Sequence, residues 1–359
     1  MVMLPVLYER GLLTAKQLGI VGATPALVLI ATGLLLPLLY RRENPRLLLM
    51  VSVVTGVFVP VAFSIFVFGI GPLVFCVLAY LLNGFSVALS SIATNALQAE
   101  ATSEGNRFSL FAQIGMMSDI VRIIVPLIIA FIFVSTDYRY VGLLNLILMA
   151  ALLSIAVRLP KSKNIYIEPI KLISLKSDYN LLIKMIYEFL DSMASTQIFV
   201  FLPILMLAKG YSLQSSLAFQ VALFAGYLIG RPAVAYIANK LNGPRALQVS
   251  EITMVVSMLA LIVTNNSIAL ILIVTLLGMS ARGTSPLIKA MVFDASAKYS
   301  KQNIGALHMA IGDGGNAIAQ LSFGILLAAF GARAPFFASM AIVCLIVILS
   351  QIDIKRTTV

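Results

Sequence analysis

Apolar residues fill this chain in long blocks that recur from end to end, and the polar breaks between them are short. The pattern predicts spans at 18–40, 47–68, 72–97, 107–134, 139–158, 181–207, 213–238, 247–264, 268–295, 303–330 and 334–352. Each is close to the roughly 20 residues a helix needs to cross the hydrocarbon core. Membrane barrel strands would alternate apolar and polar positions over about 10 residues, and these runs are continuous. The fold class expected is an all-α membrane protein with eleven full spans. Ahead of them, MVMLPVLYERG holds only the last two turns of a membrane helix.

A repeat explains that stub. ERGLLTAKQL (9–18) matches AKGYSLQSSL (208–217), and YRRENPRLL (40–48) matches NKLNGPRAL (239–247), both at an offset of 199. Gly11 falls on Gly210, Leu18 on Leu217, Arg41 on Lys240, and Pro45-Arg46 on Pro244-Arg245. With a slip of one residue, LPVL (4–7) falls on LPIL (202–205). The second copy starts with a whole helix, LLIKMIYEFLDSMASTQIFVFLPIL, of which the first copy holds only the end. The stub is therefore expected to be the extracellular end of a truncated first helix, the alternative being a protein that works with eleven spans. Two pseudo-symmetric six-helix bundles follow: an N-terminal one over 1–158 and a C-terminal one over 181–359. Between them, 159–180 reads as a basic linker, either an ordinary loop or one with a short amphipathic piece on the membrane surface.

Charge gives the sidedness. One alternating set of loops and span ends holds sixteen Lys and Arg residues, from Arg41 and Arg42 through the linker to Lys355 and Arg356. The opposite set holds five: Arg10, Lys16, Arg139, Lys209 and Arg333. Cytoplasmic loops carry the excess, which places the linker and the C-terminus in the cytoplasm of a multi-pass protein of the cell membrane. The net charge of +11 is thus a topology signal with some attraction to anionic lipid, and nucleic acid is not an expected partner.

Composition changes little after that. Sixty per cent of the chain is hydrophobic, more than one soluble core could hide. Cys76 and Cys344 fall inside apolar runs and read as buried hydrophobes. His308 is the single histidine, so neither a HExxH pair nor a His cluster can form, and no metal site is expected. There is no P-loop to spend ATP, and no nucleophile motif to suggest an enzyme. No cofactor is called for.

Two six-helix halves joined by a basic cytoplasmic loop resemble the major facilitator superfamily of secondary transporters. The marker is the loop between the second and third helices of each half, G-x-x-x-D-R-x-G-R-R in that family. The second half has AYIANKLNGPR (235–245): Ala235 stands for the glycine, Asn239 for the aspartate, Lys240 for the arginine, Gly243 comes one residue late, and Arg245 closes it. The first half has LPLLYRRENPR (36–46), with Tyr40 at the aspartate position and Arg41 and Arg46 retained. The resemblance implies a loop that latches one access state. Asn239 can cap a helix but carries no charge, so the latch should be looser here. The glycine-proline run of many antiporters is missing from the fifth helix, LFAQIGMMSDIVRIIVPLI.

An ionised group in mid-bilayer costs upward of about 2.5–3.5 kcal/mol, which makes each one a functional candidate. Asp119 and Arg122 share a face at i,i+3, either a titrating carboxylate or a structural ion pair. Asp191 lies near mid-depth with Glu188 on the same face and Gln197 beyond, and is the best coupling or substrate candidate. Arg282, in GMSARGTSP, has Lys289 two turns nearer the cytoplasm, and could receive an anionic substrate or neutralise Asp191 or Asp313. Asp313, in LHMAIGDGGNAIAQL, has Asn316 and Gln320 at i+3 and i+7. Asn316 matches Asp119 at an offset of 197, and two such groups fit a site at the repeat interface. His308 reads as a helix contact before a proton relay, Arg231 as a snorkelling or paired side chain, and Asn83 and Asn95 as hydrogen-bonding groups. The function expected is secondary active transport of a small organic solute by a monomer, with protons as a candidate coupling ion. The alternative is a non-transporting receptor or scaffold, or a nonfunctional truncated transporter.

Overall fold

The computed structural model describes residues 3–39, 42–43, 45–101, 120, 124, 147, 157–158, 165–166, 178–195, 198–241, 243–296 and 301–357. Its helices are α1 (Met3–Glu9), α2 (Ala15–Leu39), α3 (Pro45–Val67), α4 (Leu73–Ala101), α5 (Tyr179–Ser195), α6 (Ile198–Ala208), α7 (Leu213–Leu241), α8 (Gly243–Val263), α9 (Ser267–Ala295), α10 (Lys301–Phe330) and α11 (Ala334–Thr357). One two-residue antiparallel ladder joins β1 (Arg42–Glu43) to β2 (Ile165–Tyr166). The predicted spans at 107–134 and 139–158 lie almost wholly outside the described residues.

Among the described residues, eight segments are long and apolar enough to cross a membrane, and Tyr179–Ala208, which holds α5 and α6, is one of them. The predicted span at 303–330 forms the 30-residue α10. It is not among the eight, because His308, Asp313, Asn316 and Gln320 dilute its apolar character. The helix surfaces agree with a lipid solvent. On α8, Ile252, Val256, Leu259 and Val263 form an exposed stripe, while Glu251, Met254, Met258 and Leu261 are fully buried. In water that arrangement would be inverted at Glu251; in a bilayer the apolar face is the outer one.

The chain divides into two compact units. The first takes the described residues up to Ile20, 120, 124 and those from Asp178 on; the second takes those from Val21 to Ala101 with 147, 157–158 and 165–166. In the second unit, α3 and α4 pack along their length. Ser52 donates to the Ser86 carbonyl at 2.7 Å and Ser86 returns a bond to the Ser52 carbonyl at 2.8 Å, a buried polar clasp of the kind membrane helices use. In the first unit, α7 and α9 make the most extensive contact. Their backbones meet at glycines: a Cβ on Gly226 would lie 2.9 Å from the Gly278 Cα.

Two helix ends 199 residues apart close in the same way. α1 closes with Gly11 at φ 70° and the Leu12 amide donating to the Leu7 carbonyl at 2.9 Å. Before α7, Gly210 has φ 88° and the Tyr211 amide donates to the Met206 carbonyl at 3.1 Å. Both are Schellman closures with glycine in the left-handed region, and every matching pair is 199 residues apart. The next helices are capped by Thr14, whose Oγ1 accepts from the Gln17 amide at 3.3 Å, and by Ser212, whose Oγ accepts from the Ser215 amide at 3.1 Å. The caps are one residue out of the 199 register, so the second copy has the shorter turn. α1, which carries LPVL, packs against α6, which carries LPIL.

Candidate functional site

Five helices of the first unit gather the polar groups that apolar surroundings penalise most. On α5 the positions 184, 188, 191 and 192 share one face by helical spacing, and all four side chains, Lys184, Glu188, Asp191 and Ser192, are buried. Each has a partner on another element or on its own next turn. Lys184 pairs directly with Asp353 of α11, and the Tyr187 hydroxyl donates to the same carboxylate oxygen at 3.4 Å. The Ser192 hydroxyl donates to Glu188 Oε1 at 3.3 Å. His308 of α10 brings Nε2 to 3.0 Å from Glu188 Oε2.

Glycine makes the room for this. A Cβ at Gly312 would lie 2.6 Å from Glu188 Oε1 and 3.1 Å from Ser192 Oγ. The glycine-rich stretch of α10 therefore lets α5 approach closely enough for His308 to reach Glu188.

Asp191 is 2% exposed. The Thr284 hydroxyl of α9 donates to its Oδ1 at 2.9 Å. Asp191 lies in the field of Glu188 and Arg282, and Glu251, on α8, is in electrostatic reach of it. Glu251 is completely buried. Asp313 is half-buried, hydrogen-bonded with Asn316, and in the field of Glu188, Arg282 and His308. Arg282 is half-buried and Lys289 exposed, with Glu188 in electrostatic reach of the latter. The cluster thus sets four carboxyls, Glu188, Asp191, Glu251 and Asp313, against Arg282, Lys289 and His308.

The structure brings together four of the candidates singled out by sequence: Asp191, Arg282, Asp313 and Asn316. His308 is a helix contact, between α10 and α5. Asp119, Arg122, Gln197, Tyr40 and Arg41 lie outside the described residues, as do the side chains of Asn95 and Asn239. Of the loop motif, Arg46 donates from Nη2 to the Val157 carbonyl at 2.5 Å, the Lys240 ammonium stands 4.5 Å from the Tyr236 ring centroid, Gly243 opens α8 against Met291, and Arg245 is exposed. Sequence reasoning missed Glu251 and Thr284. Glu251 stands four residues inside its predicted span. The signal that finds it is a carboxylate within an apolar run. Thr284 had no signal beyond its place beside Arg282.

This is a multi-pass helical membrane protein whose buried charges sit between helices of one unit. Its fold is shared with solved structures of sugar and nucleoside transporters. A D-xylose–proton symporter structure superposes with a TM-score of 0.76 at 15% identity, over 98% of this chain and 90% of that one. The xylose transporter XylE from E. coli, in a partially occluded inward-open conformation, gives 0.72 at 15% identity over 95% and 87%. A mutant of the nucleoside transporter NupG gives 0.76 at 11% identity over 98% and 94%. No family model matches the chain, and no curated protein matches it in sequence.

Proposed function

We propose that this protein is a secondary transporter that moves a small organic solute across the cell membrane by alternating access. The observation that carries the proposal is the burial of Asp191, Glu188 and Glu251 at helix contacts inside a fold shared with solute transporters. Carboxylates are retained there against a cost of several kcal/mol, and the common reason is a substrate or ion pathway. Two bundles, 1–158 and 181–359, rock about a midplane site, and the linker 159–180 joins them on the cytoplasmic side, where the C-terminus also lies. The working unit is a monomer. Proton coupling runs through Asp191 and Asp313. A proton symporter stands among the similar structures, and the acid excess of the cluster favours a cation as the coupled species.

Proteoliposomes holding the purified chain test this. A panel of sugars, nucleosides and small organic acids is screened for counterflow, and uphill uptake is then driven by an imposed proton gradient. Asp191→Asn and Asp313→Asn abolish uphill uptake and spare exchange. Unchanged accumulation in both variants removes proton coupling through these groups, and the absence of flux across the panel in wild type favours a receptor or scaffold role.

A further inference from the structure

His308 is the single histidine of the chain, and from α10 its ring reaches across to α5. Nε2 lies 3.0 Å from Glu188 Oε2, and the two side chains are 8% and 9% exposed. Neither atom has any other hydrogen-bond partner among the described residues. The second carboxylate oxygen, Oε1, accepts from Ser192 at 3.3 Å. Glycine holds the helices close: Gly312 lies against Glu188 and Ser192, and Gly315 against the backbone of Phe189 and Met193. A contact of this kind fixes a proton count. A carboxylate only accepts, and each nitrogen of a neutral imidazole either donates or accepts. With no proton between Nε2 and Oε2, two lone pairs would face one another beside a full negative charge. One proton on Nε2 makes a bond but leaves the buried pair with a net negative charge, which is expensive away from water. A second proton on the ring makes it imidazolium, and the pair becomes neutral and charge-assisted.

We infer that Glu188 and His308 form a proton site across the α5–α10 contact, which holds a proton as an imidazolium–carboxylate pair and releases it when the two helices shift. The packing supplies the release. A seam of small residues lets α10 slide along α5 with no side chain to climb. A slide that separates Nε2 from Oε2 admits water to the carboxylate, and the ring then gives up its second proton as an ordinary histidine does near neutral pH. Glu188 lies one turn from Asp191 on the same face of α5. The inference deepens the transport reading and rests on it for its use: the coupled proton gains a station beside Asp191, and His308 is the group that presents it. On the elements packed against the pair, the charged groups are Lys184 and Asp191 on α5, Arg282 and Lys289 on α9, Asp313 on α10 and Asp353 on α11. Lys184 and Asp353 are engaged with one another, while Asp191, Lys289 and Asp313 stand in electrostatic reach of Glu188.

A lone histidine makes the test direct, and no substrate is needed. The full chain, labelled with nitrogen-15 histidine and held in lipid nanodiscs at pH 7, gives a single imidazole spectrum, whose two nitrogen resonances tell imidazolium from a neutral ring. Wild type shows imidazolium. Glu188→Gln shows the neutral ring, with unchanged elution and melting as the check that the variant folds. A neutral ring in wild type overturns the proton site by itself, whatever the variant does. An imidazolium that persists in folded Glu188→Gln overturns it too, because His308 then holds the proton without the carboxylate. In proteoliposomes whose wild type shows counterflow, His308→Asn loses the uphill uptake driven by a proton gradient, and unchanged accumulation overturns the part in coupling. Failure of transport is separate: a wild type with imidazolium and no solute flux keeps the proton site and loses the transporter.

Discussion

Removing the charge of Lys184 should destabilise the C-terminal helices more than any comparable change on their surface. Lys184 on α5 and Asp353 on α11 are paired with side chains 7% and 6% exposed. Lys184→Met leaves a buried carboxylate short of its cation. Breaking such a pair from one side costs about 3–5 kcal/mol, because the remaining buried charge loses its opposite charge. The reverse change, Asp353→Leu, is milder. The ammonium lies 5.4 Å from the Tyr187 ring centroid, a cation–π contact that returns about 0.5–2 kcal/mol, and its stem can carry the charge toward the helix end. Asp353→Leu should therefore cost about 1–3 kcal/mol less than Lys184→Met. The double variant replaces the pair with apolar groups and should fall within about 1 kcal/mol of wild type. Steric trapping in mixed micelles measures all four unfolding free energies and closes the cycle. Lys184→Met within about 1 kcal/mol of wild type, or a double variant as unstable as the sum of the singles, would refute the reasoning.

Four other predictions can be checked separately. Gly312→Ala should lower stability by about 1–3 kcal/mol, the usual cost of overpacking, and disturb the His308–Glu188 contact, seen as a change in the His308 imidazole resonances; an unchanged histidine spectrum would count against the packing argument. Gly226→Val should be at least as damaging, since the new side chain meets the backbone of α9, and a normal melting temperature would contradict it. Lys209 donates to the carbonyls of Ile262 at 3.0 Å and Thr264 at 2.6 Å, so Lys209→Met should uncap α8. Burial, and secondarily Arg333, holds the Lys209 ammonium below the ordinary lysine range, so the unfolded chain binds more protons between the folded value and 10.5 and stability rises with pH across that window. A Lys209→Met protein with the same pH–stability slope as wild type there would exclude the effect. For topology, single cysteines at Lys240 and Lys209 in a background without Cys76 and Cys344 should label with an impermeant maleimide from opposite sides of the membrane; labelling from the same side would overturn the sidedness.

The class of fold was legible because a bilayer imposes long apolar runs and a Lys and Arg bias, and both survive in a single sequence. The duplicated turn was legible too, since Gly11 and Gly210 must each occupy a conformation that other residues avoid. What could not be read was partner choice. The sequence places Lys184 two turns below Asp191, and the structure pairs it with Asp353, 169 residues away. Arg282 was expected to neutralise Asp191 or Asp313; it stands in the field of both and, among the described residues, forms a direct ion pair with neither. Helical spacing fixes which residues share a face, but it says nothing of which helix that face meets. Glu251 and Thr284 escaped for that reason: each matters only through α5.

The repeat gives Glu251 a counterpart. At the offset of 199 that aligns Pro45 with Pro244, Glu251 corresponds to Ser52. Both are buried, at 0% and 3% exposure. Ser52 spends its hydroxyl on the Ser86 carbonyl of the next helix, which satisfies a neutral group at little cost. The same slot in the second copy therefore already suited a polar side chain at a helix contact, and a hydroxyl there would have served structure alone. A carboxyl costs far more to bury than a hydroxyl. Stability does not account for the exchange of hydroxyl for acid in one copy, whereas a place in a solute pathway does. Glu251→Ser, which restores the residue found in the other copy, should accordingly match or exceed wild type in thermal stability while lowering solute flux in proteoliposomes. A Glu251→Ser protein that unfolds more readily than wild type would show that the acid is there to hold the helices together.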